Sequence, residues 1–222
     1  MIQRFFDIVL SLIALVILSP ILLVIMLILR FSAEGEVFYR QKRVGLHGNL
    51  FGVFKFATML KNSETIGTGL ITTKDDPRVF PFGRFLRKSK LNEVPQVLNI
   101  LIGDISFVGP RPQVQQHFDV FPEHVKRELK KIRPGLTGIG SIFFRDEESI
   151  LERNKTLSYD ECYAQLIAPY KGELEIWYSK NASIGLYFLL IALTAWVVIF
   201  PKSTVHTRLF RGLPKPPPEL VF

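Results

Sequence analysis

Residues Ile8 to Leu29, IVLSLIALVILSPILLVIMLIL, run for 22 positions without a charge, and no other feature narrows the chain's options as far. At about 1.5 Å rise per residue, a straight helix of this length just crosses a hydrocarbon layer of roughly 30 Å. The run is longer than the apolar part of a signal peptide and no small-x-small cleavage site follows it, so it reads as a retained membrane segment. Ser19-Pro20 lies in its middle. Proline removes a backbone donor and clashes with the preceding turn, while a neighbouring serine hydroxyl can satisfy the freed carbonyl. Two paths follow: a kinked helix that spans, or a helix broken at Ser19-Pro20 that leaves by the face it entered. Arg4 precedes the run and Arg30, Arg40, Lys42 and Arg43 follow it, so neither flank is the charge-poor side of an exported end. That balance favours the second path.

A second apolar segment, Ile184 to Phe200, has 17 residues with Tyr187 and Trp196 as interface anchors. Its length is marginal for spanning, and the basic, proline-rich tail after it argues against export, so a helix lying in the membrane interface is expected, with a second spanning helix as the alternative. The resulting division is 1–30 membrane segment, 31–183 soluble domain, 184–200 interface helix and 201–222 tail.

The 222 residues allow one domain with a core, and the formal charge of +8 favours an anionic partner such as a membrane surface, a nucleotide or a phosphorylated lipid. Basic residues are interrupted by apolar segments and no recognised nucleic-acid motif accompanies them, so no nucleic-acid partner is expected. Cys162 is the one cysteine and His47, His117, His124 and His206 are scattered, which leaves no disulfide and no Cys/His metal site. Between the apolar segments the pattern is α+β, mainly helical with short strands. EVFYRQKRVG and LFGVFKFATML flank a Gly-rich turn and read as a hairpin. Asp76-Pro77 is a turn signal before a basic helix, and PEHVKRELKKI reads as a helix with Pro122 in its first turn. Phe82, Phe85 and Leu86 beside Arg84, Arg87 and Lys88 give that basic helix an apolar and a cationic side.

The stretch RKSKLNEVPQVLNILIGDISFVGPRP, residues 87–112, carries the chemistry. Asn92-Glu93-Val94-Pro95 reads as a helix start, with Asn92 as N-cap. A helix N-terminus favours phosphate and ionised carboxylate alike, and an acid there can bind a divalent metal or attack phosphorus. Upstream cations can neutralise phosphate oxygens. GPRP holds Arg111 between two prolines, and RPGLTG places Arg133 beside a turn.

In order, the Ser-Pro-broken segment, FYRQKRVG, FKFATM, DDPRVFPFGRFLRKSKLNEVPQVLNILIGDISFVGPRP and RPGLTG resemble the bacterial sugar transferase family, the monotopic phosphoglycosyl transferases. The resemblance implies transfer of a sugar phosphate from a UDP-sugar to polyprenyl (undecaprenyl) phosphate with release of UMP. It implies a re-entrant membrane helix broken at Ser19 and Pro20, and a small catalytic domain on the cytoplasmic face of the bacterial inner membrane. It also implies membrane lipids as neighbours and is compatible with a homo-oligomer. The family's Asp-Glu pair, which works with Mg²⁺, falls on Asn92 and Glu93. Lys55, Arg87 and Arg111, with Arg133 as a weaker match, fall on residues that position phosphates. The identity of the sugar is not legible.

Three positions depart from the pattern. Asn92 stands where the family has a nucleophilic aspartate, and a carboxamide is no useful nucleophile. Glu93 could attack instead, the lipid phosphate could attack the donor directly, or the chain could be a catalytically impaired scaffold of glycan assembly. Asp146, Glu147 and Glu148 follow RPGLTG and could bring replacement carboxylates to a metal, although an exposed acidic helix start is the simpler reading. Ala57 in FKFATM stands where a basic residue is usual.

Overall fold

Helix α1 (Ile2–Phe31) runs uninterrupted through Ser19-Pro20 in the computed structural model, which describes residues 2–32, 34–65, 76–147, 150, 158–201, 203–210 and 212–220. Pro20 has no N–H to offer the carbonyl four residues back, that of Val16. The Ser19 hydroxyl donates to that same carbonyl at 2.8 Å. The serine therefore replaces the bond that the proline removes, and the helical path survives. The expected break is thus a weakened point in a continuous helix. Along the middle of α1 the apolar side chains are uncovered, Val16 at 74% and Ile17 at 68% exposure, which suits lipid and not water.

The rest is mainly helical with short strands, as the patterning predicts. Strands β1 (Phe38–Val44) and β2 (Leu50–Phe56) pair as the expected hairpin. There follow α2 (Pro81–Lys88), α3 (Gln96–Ile102), β3 (Ser106–Val108), α4 (Gln115–Asp119), α5 (Glu123–Leu129), β4 (Gly135–Thr137) and α6 (Ile139–Phe143). A short helix α7 (Tyr159–Cys162) continues through a π-helical turn (Tyr163–Ile167) into α8 (Ala168–Asn181), then α9 (Ile184–Ile199) and α10 (His206–Leu209). The chain divides into two compact units, one of residues 8–42 and 52–102, the other of residues 1–7, 43–51 and 103–222.

In the first unit the core forms where Ile25 and Leu29 of α1 meet Phe56 of β2 and Leu86 of α2, with Leu22, Met26, Val37, Phe80, Phe82 and Leu91 around them. Leu86 is the apolar side expected of the basic helix, whereas Phe85 is exposed. Gly83 lets α2 lie directly on the chain, since a Cβ there would stand 2.3 Å from the Thr58 carbonyl oxygen. Asn99 joins α3 to β2: its Oδ1 accepts from Phe54 N (2.8 Å) and its Nδ2 donates to the Gly52 carbonyl (2.9 Å). A buried side-chain amide here plays the part of a neighbouring strand.

In the second unit β3 and β4 pair in parallel, with Ser106 opposite Gly135 and Val108 opposite Thr137. The start of α1 is bound to this pair. Asp7, 1% exposed, accepts through Oδ1 from the Ser106 hydroxyl (2.8 Å), Phe107 N (3.1 Å) and the Tyr187 hydroxyl (3.0 Å). Gln3 Nε2 adds bonds to Ser106 Oγ and the Val108 carbonyl. Helix α9, capped by Ser183, buries Tyr187, Leu190, Leu193 and Val197 and leaves Ile184, Phe188, Leu189, Trp196, Val198 and Ile199 exposed. It is apolar on both faces although only one is covered.

Asp7→Ala strands three buried donors. It is expected to destabilise the purified protein by about 2–4 kcal/mol, and Tyr187→Phe by about 1 kcal/mol; thermal unfolding in detergent checks both.

Candidate active site

The Asn92-Glu93 pair sits in a single 3₁₀ turn, Leu91–Glu93, that separates α2 from α3. Lys90 makes the corner in the left-handed conformation (φ 60°, ψ 9°), and Glu93 N donates back to its carbonyl. The expectation of Asn92 as a helix N-cap is therefore corrected. Pro95 lacks an N–H, and α3 begins only at Gln96, so the pair precedes the helix by a turn and receives no cap bond. What positions it is the turn and the packing of Leu91 into the first unit's core.

Lys55, on β2, stands 4.0 Å from Glu93 Oε1 and donates to Gln41 Oε1 at 3.2 Å. Both charged side chains are partly open to solvent, at 18% and 21% exposure, which keeps them reachable by a ligand. Arg87, at the end of α2, donates through Nε to the Thr58 hydroxyl (2.9 Å). Burial is the main influence on its guanidinium and lowers its pKa; Asp76 and Glu93 act against that and Arg78 with it. An arginine remains charged under such influence. Asp76 and Arg78 form a buried ion pair at 2.6 Å, and Arg78 also donates to the Ser63 carbonyl. Sequence reasoning read Asp76-Pro77 as a turn and missed the ion pair; the Asp-x-Arg spacing was its signal. Ala57 is buried, with its N–H on the Val37 carbonyl.

Lys55, Arg87, Asn92 and Glu93 thus belong to one unit. Arg111 and Arg133 belong to the other, where GPRP and RPGLTG form one construction. Gly109 N donates to the Thr137 carbonyl and Gly135 N to the Pro110 carbonyl. A Cβ on Gly109 would meet the Arg133 carbonyl oxygen at 2.5 Å, so glycine is what allows the two loops to touch. The Arg111 carbonyl accepts from Gln113 Nε2, and that of Pro112 from Arg43. Arg133 is half-buried and its Nε has no bond. The cavity lined by Pro110, Arg111, Pro112 and Pro134, about 20 Å³, has room for one water.

Asn92 Oδ1, on the residue before Glu93, is buried without a hydrogen-bond partner, an acceptor with its lone pairs unmatched. Mg²⁺ at phosphate-transfer sites usually takes one or two protein carboxylates and fills its remaining positions with phosphate oxygens and water. Glu93 with Asn92 Oδ1 fits that sparse donor set. Among the described residues no group of three or more acidic, histidine or cysteine side chains could hold a metal. Glu147 accepts from Lys171 at 2.6 Å; Glu148 lies outside the described residues.

The family model for bacterial sugar transferases matches residues 1–201. Among curated proteins, the exopolysaccharide production protein ExoY of Sinorhizobium fredii is 36% identical over 177 residues, 73% of this chain and 76% of its own. The UDP-glucose:undecaprenyl-phosphate glucose-1-phosphate transferase of Klebsiella pneumoniae is 36% identical over 167 residues, 72% of this chain and 35% of its own. The undecaprenyl-phosphate galactose phosphotransferase of Salmonella typhimurium is 32% identical over 212 residues, 89% of this chain and 40% of its own. The chain therefore spans well under half the length of the latter two.

An unmatched buried acceptor is a stability cost kept for another reason. Asn92→Leu is accordingly expected to hold the thermal midpoint or raise it by up to about 3 °C; a fall of several degrees would show that the amide has a structural duty.

Proposed function

Because the chain belongs to the bacterial sugar transferase family, we propose that it is a phosphoglycosyl transferase acting on a UDP-sugar and undecaprenyl phosphate. It moves the sugar 1-phosphate to the lipid and releases UMP, the first membrane step of surface polysaccharide or glycoconjugate assembly. The relatives named as undecaprenyl-phosphate sugar phosphotransferases support this reading. The observation that carries it in this chain is the approach of Lys55 to Glu93 at 4.0 Å, with Arg87 in electrostatic reach of the same carboxylate and an unmatched oxygen on the adjoining Asn92.

The reaction runs as an in-line displacement. A phosphate oxygen of the lipid attacks the sugar-bearing phosphorus of the donor, forming the new diphosphate bond. The bond to the bridging oxygen breaks, and UMP leaves with its electron pair. Asn92 has no charged oxygen with which to attack phosphorus, so it takes no covalent part. Lys55 and Arg87 neutralise the charge that shifts onto the departing phosphate; Arg111 and Arg133, which belong to the other unit, are proposed as phosphate-binding residues on the family resemblance. Glu93 and Asn92 would hold Mg²⁺, whose bound charge would stabilise the crowded phosphate oxygens. Catalysis is then positioning and electrostatics.

The membrane path is re-entrant in this reading. Ser106 and Phe107 lie on the chain that leaves α1, yet they hold Asp7, which precedes its apolar run. Between residues 32 and 183, among the described residues, no helix is long and apolar enough to cross a membrane. This supports placing Asp7 and Phe31 on the same side, read here as the cytoplasmic face of the bacterial inner membrane, with Pro20 as the point where α1, continuous in the structure, turns back within the bilayer. Helix α9 spans about 24 Å, short of a crossing, and lies in the interface with its uncovered apolar face toward lipid.

A second reading, a catalytically impaired scaffold of glycan assembly, is favoured by the carboxamide at position 92 alone. UMP release by the detergent-purified chain with Mg²⁺, undecaprenyl phosphate and a panel of UDP-sugars decides between them. Lipid-dependent release is expected, falling at least about 100-fold in Glu93→Gln and Arg111→Ala. Silence in the native chain with release gained in Asn92→Asp supports the scaffold. For topology, Ile2→Cys is expected to react with a membrane-impermeant maleimide only from the cytoplasmic side; native Cys162 is buried and adds little background.

A further inference from the structure

Between Gly109 and Gln113 the chain reads Pro-Arg-Pro, so the Arg111 amide is the one backbone donor the three residues possess. It is not spent on the sheet. Glu175, on α8, accepts the N–H of Arg111 and also that of Gly140, at the start of α6. The carboxylate is 3% exposed. A Cβ on Gly140 would lie 2.3 Å from Glu175 Oε1, so a glycine is required for the carboxylate to reach this place. Its other oxygen, Oε2, is buried with no hydrogen-bond partner.

A buried carboxylate that fills only half its capacity is poor structural economy. An apolar side chain would pack the interior of α8 without the desolvation cost. Burial pushes the carboxyl up to about 7, with the Lys171 ammonium and the two backbone N–H groups acting in the opposite direction. Lys171 is itself committed to Glu147 (2.6 Å), and it lies over the rings of Phe144 and Tyr163. What the carboxylate does achieve is local. It holds the middle of the Pro-Arg-Pro segment, whose flanks are already tied through the Gly109 amide and the Pro110 and Pro112 carbonyls. An arginine between two prolines has restricted backbone freedom, and one bond at its amide sets the remaining rotation of that peptide.

We propose that Glu175 is a positioning residue for Arg111: by accepting the arginine's only main-chain N–H it aims the guanidinium at the phosphate group that Arg111 binds. The proposal rests on the phosphate-binding role given to Arg111 above. Glu175 touches no substrate, and its influence passes through a single peptide.

The test uses the full chain in detergent with Mg²⁺, undecaprenyl phosphate and the UDP-sugar that the native chain accepts. Glu175→Leu keeps the volume and removes the acceptor. It is expected to raise the donor KM by about tenfold or more, since a misplacement of about 1 Å can change rates that much. Glu175→Gln keeps an acceptor oxygen and is expected to restore KM to within about threefold of native. In an Arg111→Ala background, Glu175→Leu should add little, because a residue acting through another has nothing left to position. Full additivity in that cycle, or an unchanged KM in Glu175→Leu, overturns the proposal. Hydrogen exchange of the 109–113 segment gives a readout independent of turnover: faster exchange at the Arg111 amide in Glu175→Leu, and native exchange in Glu175→Gln. If the native chain releases no UMP, the transferase reading fails by itself, and exchange still decides whether Glu175 holds this peptide. If Glu175→Leu does not fold, Glu175→Asp carries the test by drawing the acceptor back one bond; native KM and native exchange in it would sink the idea.

Discussion

The second unit depends on the carboxylate of Asp7. It is buried at the mouth of the apolar helix and gathers three donors from two elements, the Ser106 hydroxyl and Phe107 amide of β3 and the Tyr187 hydroxyl of α9. All three bonds fall on Oδ1 while Oδ2 is buried with no partner, so the cost of burying the group is offset only through these donors and the site demands a particular placement of each element. β3 in turn fixes β4 by parallel pairing, and their loop ends are GPRP and RPGLTG. The Thr137 and Thr194 hydroxyls, 2.6 Å apart, tie β4 to α9 a second time. The start of α1, the β3–β4 pair and α9 are thereby one hydrogen-bonded assembly.

The first unit is built on a different principle. Its core is apolar, Ile25 and Leu29 of α1 against Phe56 and Leu86, with Asn99 and the Asp76–Arg78 pair buried on their own partners, and Lys55, Arg87 and Glu93 meet at its half-open margin. Some polar atoms of this unit are matched, such as Arg87 with Thr58, and others, Asn92 Oδ1 and Gln96 Nε2 among them, are not. Cations held in place before a ligand arrives need little rearrangement to meet an anion, and unmatched polar atoms lower stability.

Much of the fold was legible because its signals are local. The uncharged run of α1, the Gly-rich hairpin and the basic helix α2 each follow from spacing over a few residues. The role of Ser19 was legible too, since Pro20 names in advance the carbonyl it cannot serve. Asn92 was misread as a cap because Asn followed by Pro is a good local signal. The left-handed Lys90 and the 3₁₀ turn that displace the helix start answer to packing of Leu91, which no short window contains. Asp7 looked like a flanking charge, and Glu175 like one acid on an ordinary helix. Their partners lie 99 or more and 35 or more residues away in the chain.

The sequence by itself determined the long apolar helix, the mainly helical class, the family and the inventory of candidate site residues, because hydropathy, turn chemistry and motif order are properties of neighbouring residues. Only the tertiary structure decided which carboxylates are buried, which amides they hold and which oxygen is left unmatched at position 92. Burial and hydrogen-bond matching arise between segments far apart in the chain, and their energies depend on distances that a linear pattern does not contain.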